Sequence, residues 1–271
     1  MSVKRELVVK SNRLVEASYR LTLVEQQIIL YAICRSRDEQ KGLSPDTHVT
    51  ILARDFAKQF GTNEDEVYRQ LKEAITTLYG RSVTIRDIDP DTGRPRVTET
   101  RWISDKSYVD GAGQIQITFA PKVIPFITRL EQEFTSYRLE KIGQMTSVHA
   151  VRLYEILVQY LGIGHREIEM SWLKETLQVG TDEYARLFNF KKRVLDVAET
   201  QINTHSDIRV SYTQRKTGRN VTHLNFTIRP EKVVPRPKKL VINRAYVEQH
   251  ARPGESYDEA FRRLLVEAHG K

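Results

Sequence analysis

An α+β chain, built as two tandem winged helices (helix-turn-helix plus β wing) and a short C-terminal helical tail, is predicted from three observations. The two halves can be laid over each other at an offset of about 120 residues. Each half reads in the order helix, strand, helix, turn, helix, alternating hairpin. The positive charge is concentrated in the second copy.

The first long helix of the first copy starts at Thr22-Leu23-Val24-Glu25 and continues through Leu30-Tyr31-Ala32-Ile33. Thr22 and Glu25 form a capping box, in which hydroxyl and carboxylate satisfy the amides that open a helix. Its counterpart runs from Thr146-Ser147-Val148-His149 to Leu153-Tyr154-Glu155-Ile156. A strand at 49–51, a helix at 52–60 and the turn Gly61-Thr62 correspond to a strand at 168–170, a helix at 171–179 and Gly180-Thr181. Second helices follow at 64–79 and 186–203. Alternating strands at 82–88 and 97–103 make the first wing, and strands at 208–213 and 221–228 the second. Their turns end in Gly93 and Gly218, where positive φ is tolerated. Beyond them, Pro235-Arg236-Pro237-Lys238-Lys239 reads as a stiff basic linker, and Ser256 caps an amphipathic helix at 257–266. The expected division is 1–135, 136–230 and 231–271.

Composition narrows the function. The chain has 271 residues, 43 Lys plus Arg against 35 Asp plus Glu, and a formal net charge of +8. Residues 186–229 hold nine basic and three acidic side chains, a net +6, which is the footprint of a polyanion-binding surface. Lys4, Arg5, Lys10 and Arg13 and the run at 235–239 form two smaller basic patches, read equally well as soluble ends. Hydrophobic residues at 39% are too many for a wholly disordered chain, and no apolar run reaches membrane-spanning length. A cytoplasmic protein is expected, since the N-terminus leads into no signal-type segment. The single Cys34 excludes an internal disulfide framework. No P-loop appears, and the seven histidines form neither a His-x-His pair nor a His-Glu-x-x-His motif. The carboxylates of Asp87-Ile88-Asp89-Pro90-Asp91-Thr92-Gly93 fail the EF-hand template at glycine, at proline and at Thr98, so this segment reads as a turn. No catalytic residue, metal or cofactor is expected.

Helical geometry selects the second copy as the DNA reader. At 100° per residue Leu187, Phe190, Val194, Leu195, Val197, Ala198 and Ile202 share the core arc, while Arg186, Asn189, Lys192, Arg193, Asp196 and Thr200 occupy the opposite one. Arg can bind guanine and Asn adenine by paired hydrogen bonds; Asp196 suits either a cytosine amine or a neighbouring Lys. The corresponding helix of the first copy sets Arg69 and Lys72 against Glu64, Asp65, Glu66 and Glu73, a net −2. It therefore makes fewer DNA contacts, joined by Arg94 and Arg96 beside the first wing turn, and is freer to bind protein. Winged helices also serve as protein-docking modules.

The run from Leu14-Val15-Glu16-Ala17-Ser18-Tyr19-Arg20 to Leu30-Tyr31-Ala32-Ile33 closely resembles the opening of iteron-binding plasmid replication initiators with two winged helices. Phe134-Thr135-Ser136-Tyr137-Arg138-Leu139-Glu140, Val151-Arg152-Leu153-Tyr154-Glu155-Ile156-Leu157 and Phe190-Lys191-Lys192-Arg193-Val194-Leu195 agree in the same order. The resemblance implies a monomer that binds directly repeated iterons in double-stranded origin DNA, helps melt an AT-rich region and recruits a host initiator and replicative helicase. It also implies a homodimer, formed largely through the N-terminal winged helix, that represses its own promoter. Carried across by motif, Asn189, Lys191, Lys192 and Arg193 come from the second recognition helix and Arg215, Lys216 and Arg219 from its wing, although the wheel turns Lys191 toward the buried arc. Leu14, Leu21 and Ile28 suit either dimerisation or a core stripe. The alternative is a winged-helix transcriptional regulator with no role in initiation.

Overall fold

The computed structural model describes residues 6–231 apart from 110, 129–132, 181–182 and 185, together with 250, 252 and 255–269. The chain divides into two compact units, Met1–Glu231 and Lys232–Lys271. The first unit holds both winged helices around one continuous hydrophobic core that extends from Val8 to Ile228.

Strand β1 (Leu7–Ser11) and helix α1 (Asn12–Val15) lead to α2 (Leu23–Glu39). The capping box stands as expected: the Glu25 amide donates to Thr22 Oγ1 at 3.3 Å and the Thr22 amide to Glu25 Oε2 at 2.6 Å. Glu25 does more than cap, because Arg81 Nε donates to both its oxygens at 3.1 and 3.2 Å. The first module continues through β2 (Val49–Leu52), α3 (Ala53–Phe60) and α4 (Glu64–Leu78). Gly61, with φ of +63°, ends α3 in the left-handed conformation that lets the turn into α4 form.

The first wing differs from the expected one. Strands β3 (Ser82–Ile88) and β4 (Pro95–Arg101) pair with each other as a separate two-stranded sheet, tied to the body by a bridge between Ser18 and Thr84. The sheet that contains β2 is closed by β6 (Gln114–Phe119) and then β5 (Ile103–Val109), in the order β2-β6-β5. The β5-β6 hairpin is thus the wing of the first module, and 82–101 is an inserted hairpin carrying Arg94 and Arg96. The physical reason is which strands have a face to bury: β6 buries Ile115, Ile117 and Phe119 and pairs with both neighbours, whereas β4 buries none of its residues.

A short helix α5 (Pro125–Thr128) precedes β7 (Phe134–Arg138), which pairs antiparallel with β1. The expected boundary at 135/136 falls inside this strand. The second module comprises α6 (Val148–Val158), β8 (His165–Glu169), α7 (Met170–Thr176), α8 (Leu187–Phe190), a π-helical turn (Lys191–Leu195), α9 (Asp196–His205), β9 (Ile208–Thr217) and β10 (Asn220–Pro230). Its sheet has the order β8-β10-β9, matching the first module strand for strand. The second wing is longer than its sequence pattern, since β9 and β10 pair up to Thr217 and Asn220 and leave Gly218 and Arg219 at the turn. In the second unit, the amide and Oγ of Ser256, which precedes α10 (Tyr257–His269), donate to Glu259 Oε2 at 2.9 and 2.7 Å, so the Glu259 carboxylate satisfies the amide at the start of the helix. Residues 1–5 and 235–239, with their expected basic patches, lie outside the described residues.

A buried ionic cluster joins the modules, and it corrects the reading of Lys10 as part of an exposed basic end. Lys10 and Glu155 are fully buried, with Nζ 2.5 Å from Oε1. The Tyr137 hydroxyl donates to the same oxygen at 2.6 Å, and Gln26 Nε2 and Arg152 Nη1 donate to Oε2 at 3.2 and 3.5 Å. One carboxylate from α6 is thereby held by groups from β1, β7, α2 and α6 itself. Burial alone pushes the Glu155 carboxyl up, but the Lys10 and Arg152 charges and the hydrogen bonds outweigh it and hold it below the usual range. Arg152 also donates to the carbonyls of Val15 and Ala17 at 2.9 and 2.8 Å and lies 3.9 Å from the Tyr19 ring centroid. Arg166 with Glu16 at 2.6 Å, Arg86 with Glu175 at 2.5 Å and Arg20 with Glu183 at 2.5 Å add further ties. Leu14, Leu21 and Ile28 are buried in the core, which satisfies the core-stripe reading.

Candidate nucleic-acid interface

The second module carries its recognition helix as one continuous helical stretch, α8, the π turn and α9, over residues 187–205. The π turn has a sequence cause. Phe190, Val194, Ala198 and Ile202 are all fully buried and recur every four residues. An α-helix at 3.6 residues per turn would carry such a stripe about 120° around its axis over three turns. One wide turn, closed by the Asp196 amide on the Lys191 carbonyl, keeps the stripe against the core. Arg186, Lys192, Arg193, Asp196 and Thr200 stay exposed on the other side, and Asn189 is half-buried.

Ion pairing sorts the twelve candidate residues. The charged groups of Arg186, Lys192, Arg193, Lys216 and Arg219 have no ion-pair or hydrogen-bond partner among the described residues, and all five residues are exposed. Arg215 on β9 pairs with Glu167 of β8 at 3.0 Å. Lys191 is half-buried, with its ammonium 5.9 Å from the Tyr212 ring. In the first module Arg69 pairs with Glu73 at 3.0 Å, one turn along α4, and Lys72 lies 4.0 Å over the Tyr108 ring. Arg96 is gripped by Asp87 at 2.6 Å and Asp89 at 2.9 Å. Arg94 is exposed in the same turn, where the amide and hydroxyl of Thr92 donate to Asp89 at 3.0 and 2.9 Å. Both carboxylates have protein partners there, so this segment is structured as a turn.

Two features escaped the sequence reading. The Tyr212 hydroxyl donates to Asp196 Oδ1 at 2.6 Å, linking wing strand β9 to the recognition helix and engaging the carboxylate that the sequence assigns to a cytosine amine or a neighbouring Lys. Burial and this bond raise the Tyr212 pKa, so the phenol stays protonated and donating at neutral pH. The other is Phe188, 68% exposed. Four residues before Lys192, it lies within about 40° of it on the wheel, a placement its apolar character disguised.

The arrangement offers a helix whose exposed cations have no partner among the described residues and, packed against it, a β hairpin whose end bears two more. Such a pair of elements can enter a groove and grip the flanking phosphates.

Comparison with known proteins bears on the family and the fold. The family model described as "Initiator Replication protein, WH1" matches residues 7–158, and "Initiator Rep protein, WH2" matches 169–228. An uncharacterised 27.6 kDa protein of Escherichia coli is 24% identical over 224 residues, covering 80% of this chain and 92% of the relative. Among solved structures, the Pi initiator protein in complex with iteron DNA superposes with a TM-score of 0.67 at 20% identity, covering 83% of this chain and 98% of that one. The last similarity is one of fold.

Proposed function

Because the chain belongs to the replication-initiator family defined by these two domains, we propose that it is a plasmid replication initiator. It binds repeated origin sequences, iterons, in double-stranded DNA as a monomer, promotes melting of the adjacent duplex and recruits a host initiator and helicase. As a dimer it represses its own promoter. The second module reads the DNA, and the first adds secondary contacts and the dimer surface. The observation that carries this reading is the set of five exposed cations on the second recognition helix and wing without a partner among the described residues, against the partnered cations of α4. The Pi protein, of the same fold, has been solved with iteron DNA.

No chemical step is assigned to the chain. Melting on this reading is driven by bending of the bound duplex, cooperative loading on adjacent repeats and supercoiling.

A footprint on origin DNA with tandem repeats of about twenty base pairs tests the reading, with protection of about two helical turns per monomer expected. If six to ten phosphates are neutralised, affinity falls about 10³- to 10⁵-fold between about 50 and 200 mM salt. Affinity indifferent to salt, a covalent DNA adduct, or ATP hydrolysis in step with unwinding would overturn it. A lone operator with no repeats would point instead to a regulator. Removing residues 232–271 is expected to change iteron affinity less than about threefold in the same titration.

A further inference from the structure

Phe188 is the most exposed large hydrophobic side chain among the described residues, at 68%. Its position is unusual for an unburied ring, because exposing a phenyl group forgoes the favourable burial of its apolar surface. It stands on the first turn of the recognition helix, between exposed Arg186 and exposed Lys192, with Arg193 next along the chain. The next residue but one, Phe190, is fully buried, so the core of this turn is already filled and Phe188 adds nothing to it.

Resting on the reading of the second module as the DNA reader, we propose that Phe188 recognises a thymine, packing its ring on the C5-methyl group in the major groove. The surrounding cations favour a polyanion and disfavour an apolar protein partner at this spot. On the floor of the major groove the apolar group a side chain can meet is the thymine methyl, and aromatic contact with it is an established mode of base discrimination. Arg186, Lys192 and Arg193 would then hold the backbone or a guanine edge while the ring tests the neighbouring pair. The wedge role of aromatic side chains belongs to the minor groove, which a recognition helix does not enter.

The experiment is a binding titration on one cognate iteron duplex in which each thymine in turn is replaced by deoxyuridine, which removes the methyl and leaves pairing intact. The full-length wild type and Phe188→Ala are compared. One position is expected at which uracil weakens the wild type by about fourfold, the worth of one buried methyl group. At that position Phe188→Ala binds thymine and uracil duplexes equally, and Phe188→Leu keeps part of the discrimination. Wild-type indifference to uracil at every position overturns the inference while leaving iteron binding intact. So does a Phe188→Ala variant that keeps the full thymine preference, or one whose affinity drops equally on both duplexes. Failure of wild-type protein to bind any iteron duplex would instead overturn the underlying reading. Because Phe188 lies outside the core, an unchanged melting temperature in Phe188→Ala is the accompanying control.

Discussion

Reversing two charges at once, Lys192→Glu with Arg193→Glu, is expected to weaken iteron binding by at least about thirtyfold, since each good base contact is worth about 1–3 kcal/mol. The same reversal at Arg69 and Lys72 is expected to cost less than about tenfold. The contrast comes from pairing: Lys192 and Arg193 are exposed with no partner among the described residues, whereas Arg69 already faces Glu73 and Lys72 lies over Tyr108. A screened, partnered surface cation contributes little to the field a polyanion meets. Both pairs sit outside the core, so neither double variant should unfold. A mobility-shift titration at fixed salt measures the two losses, and equal losses would remove the assignment of the second module as the principal reader.

Glu155→Gln is expected to be among the most destabilising conservative changes in the chain. It leaves Lys10 fully buried without its carboxylate, and breaking one partner of a buried pair costs about 3–5 kcal/mol. In a unit of this size that lowers the Tm by about 6–20 °C. Lys10→Met should cost a comparable amount, and the double variant much less than the sum, because neither charge is then stranded. The pH dependence has a definite sign. The folded Glu155 pKa is depressed, so its stabilisation is fully present above the unfolded carboxylate value of about 4.3 and is lost as pH falls through the folded value. The gap between wild type and Glu155→Gln should therefore be full near neutrality and close progressively in acid. Thermal melts at several pH values read this directly, and a constant gap down to strongly acid pH would contradict the paired, ionised state.

Local chemistry was legible from the residues. The Thr22 capping box, the Gly61 turn and the helices on either side of it depend on a few neighbouring side chains, and they stand where the pattern places them. Features that depend on distant partners were not. Lys10 lies close to the N-terminus and reads as solvated until Glu155, from the other module, closes on it. The inserted hairpin alternates more plainly than β5, whose single fully buried residue, Ile103, gives little pattern to read; strand order is decided by β6, which has the apolar face. The π turn cannot be seen on a wheel drawn at fixed angle, although the four-residue spacing of Phe190, Val194, Ala198 and Ile202 contains its cause. For the interface, the exposed cations followed from charge and helical phase. Which of them are already neutralised, as Arg215 is by Glu167, is a property of sheet pairing.

Arg152, reaching from α6 to the carbonyls that precede α2, has a consequence for the spacing of any bipartite target. With that guanidinium and the Lys10 cluster both in the core, the two modules share one buried seam. If both modules hold DNA, inserting about five base pairs between their two segments, half a turn of duplex, would swing one segment to the far side of the helix axis and out of reach of its module.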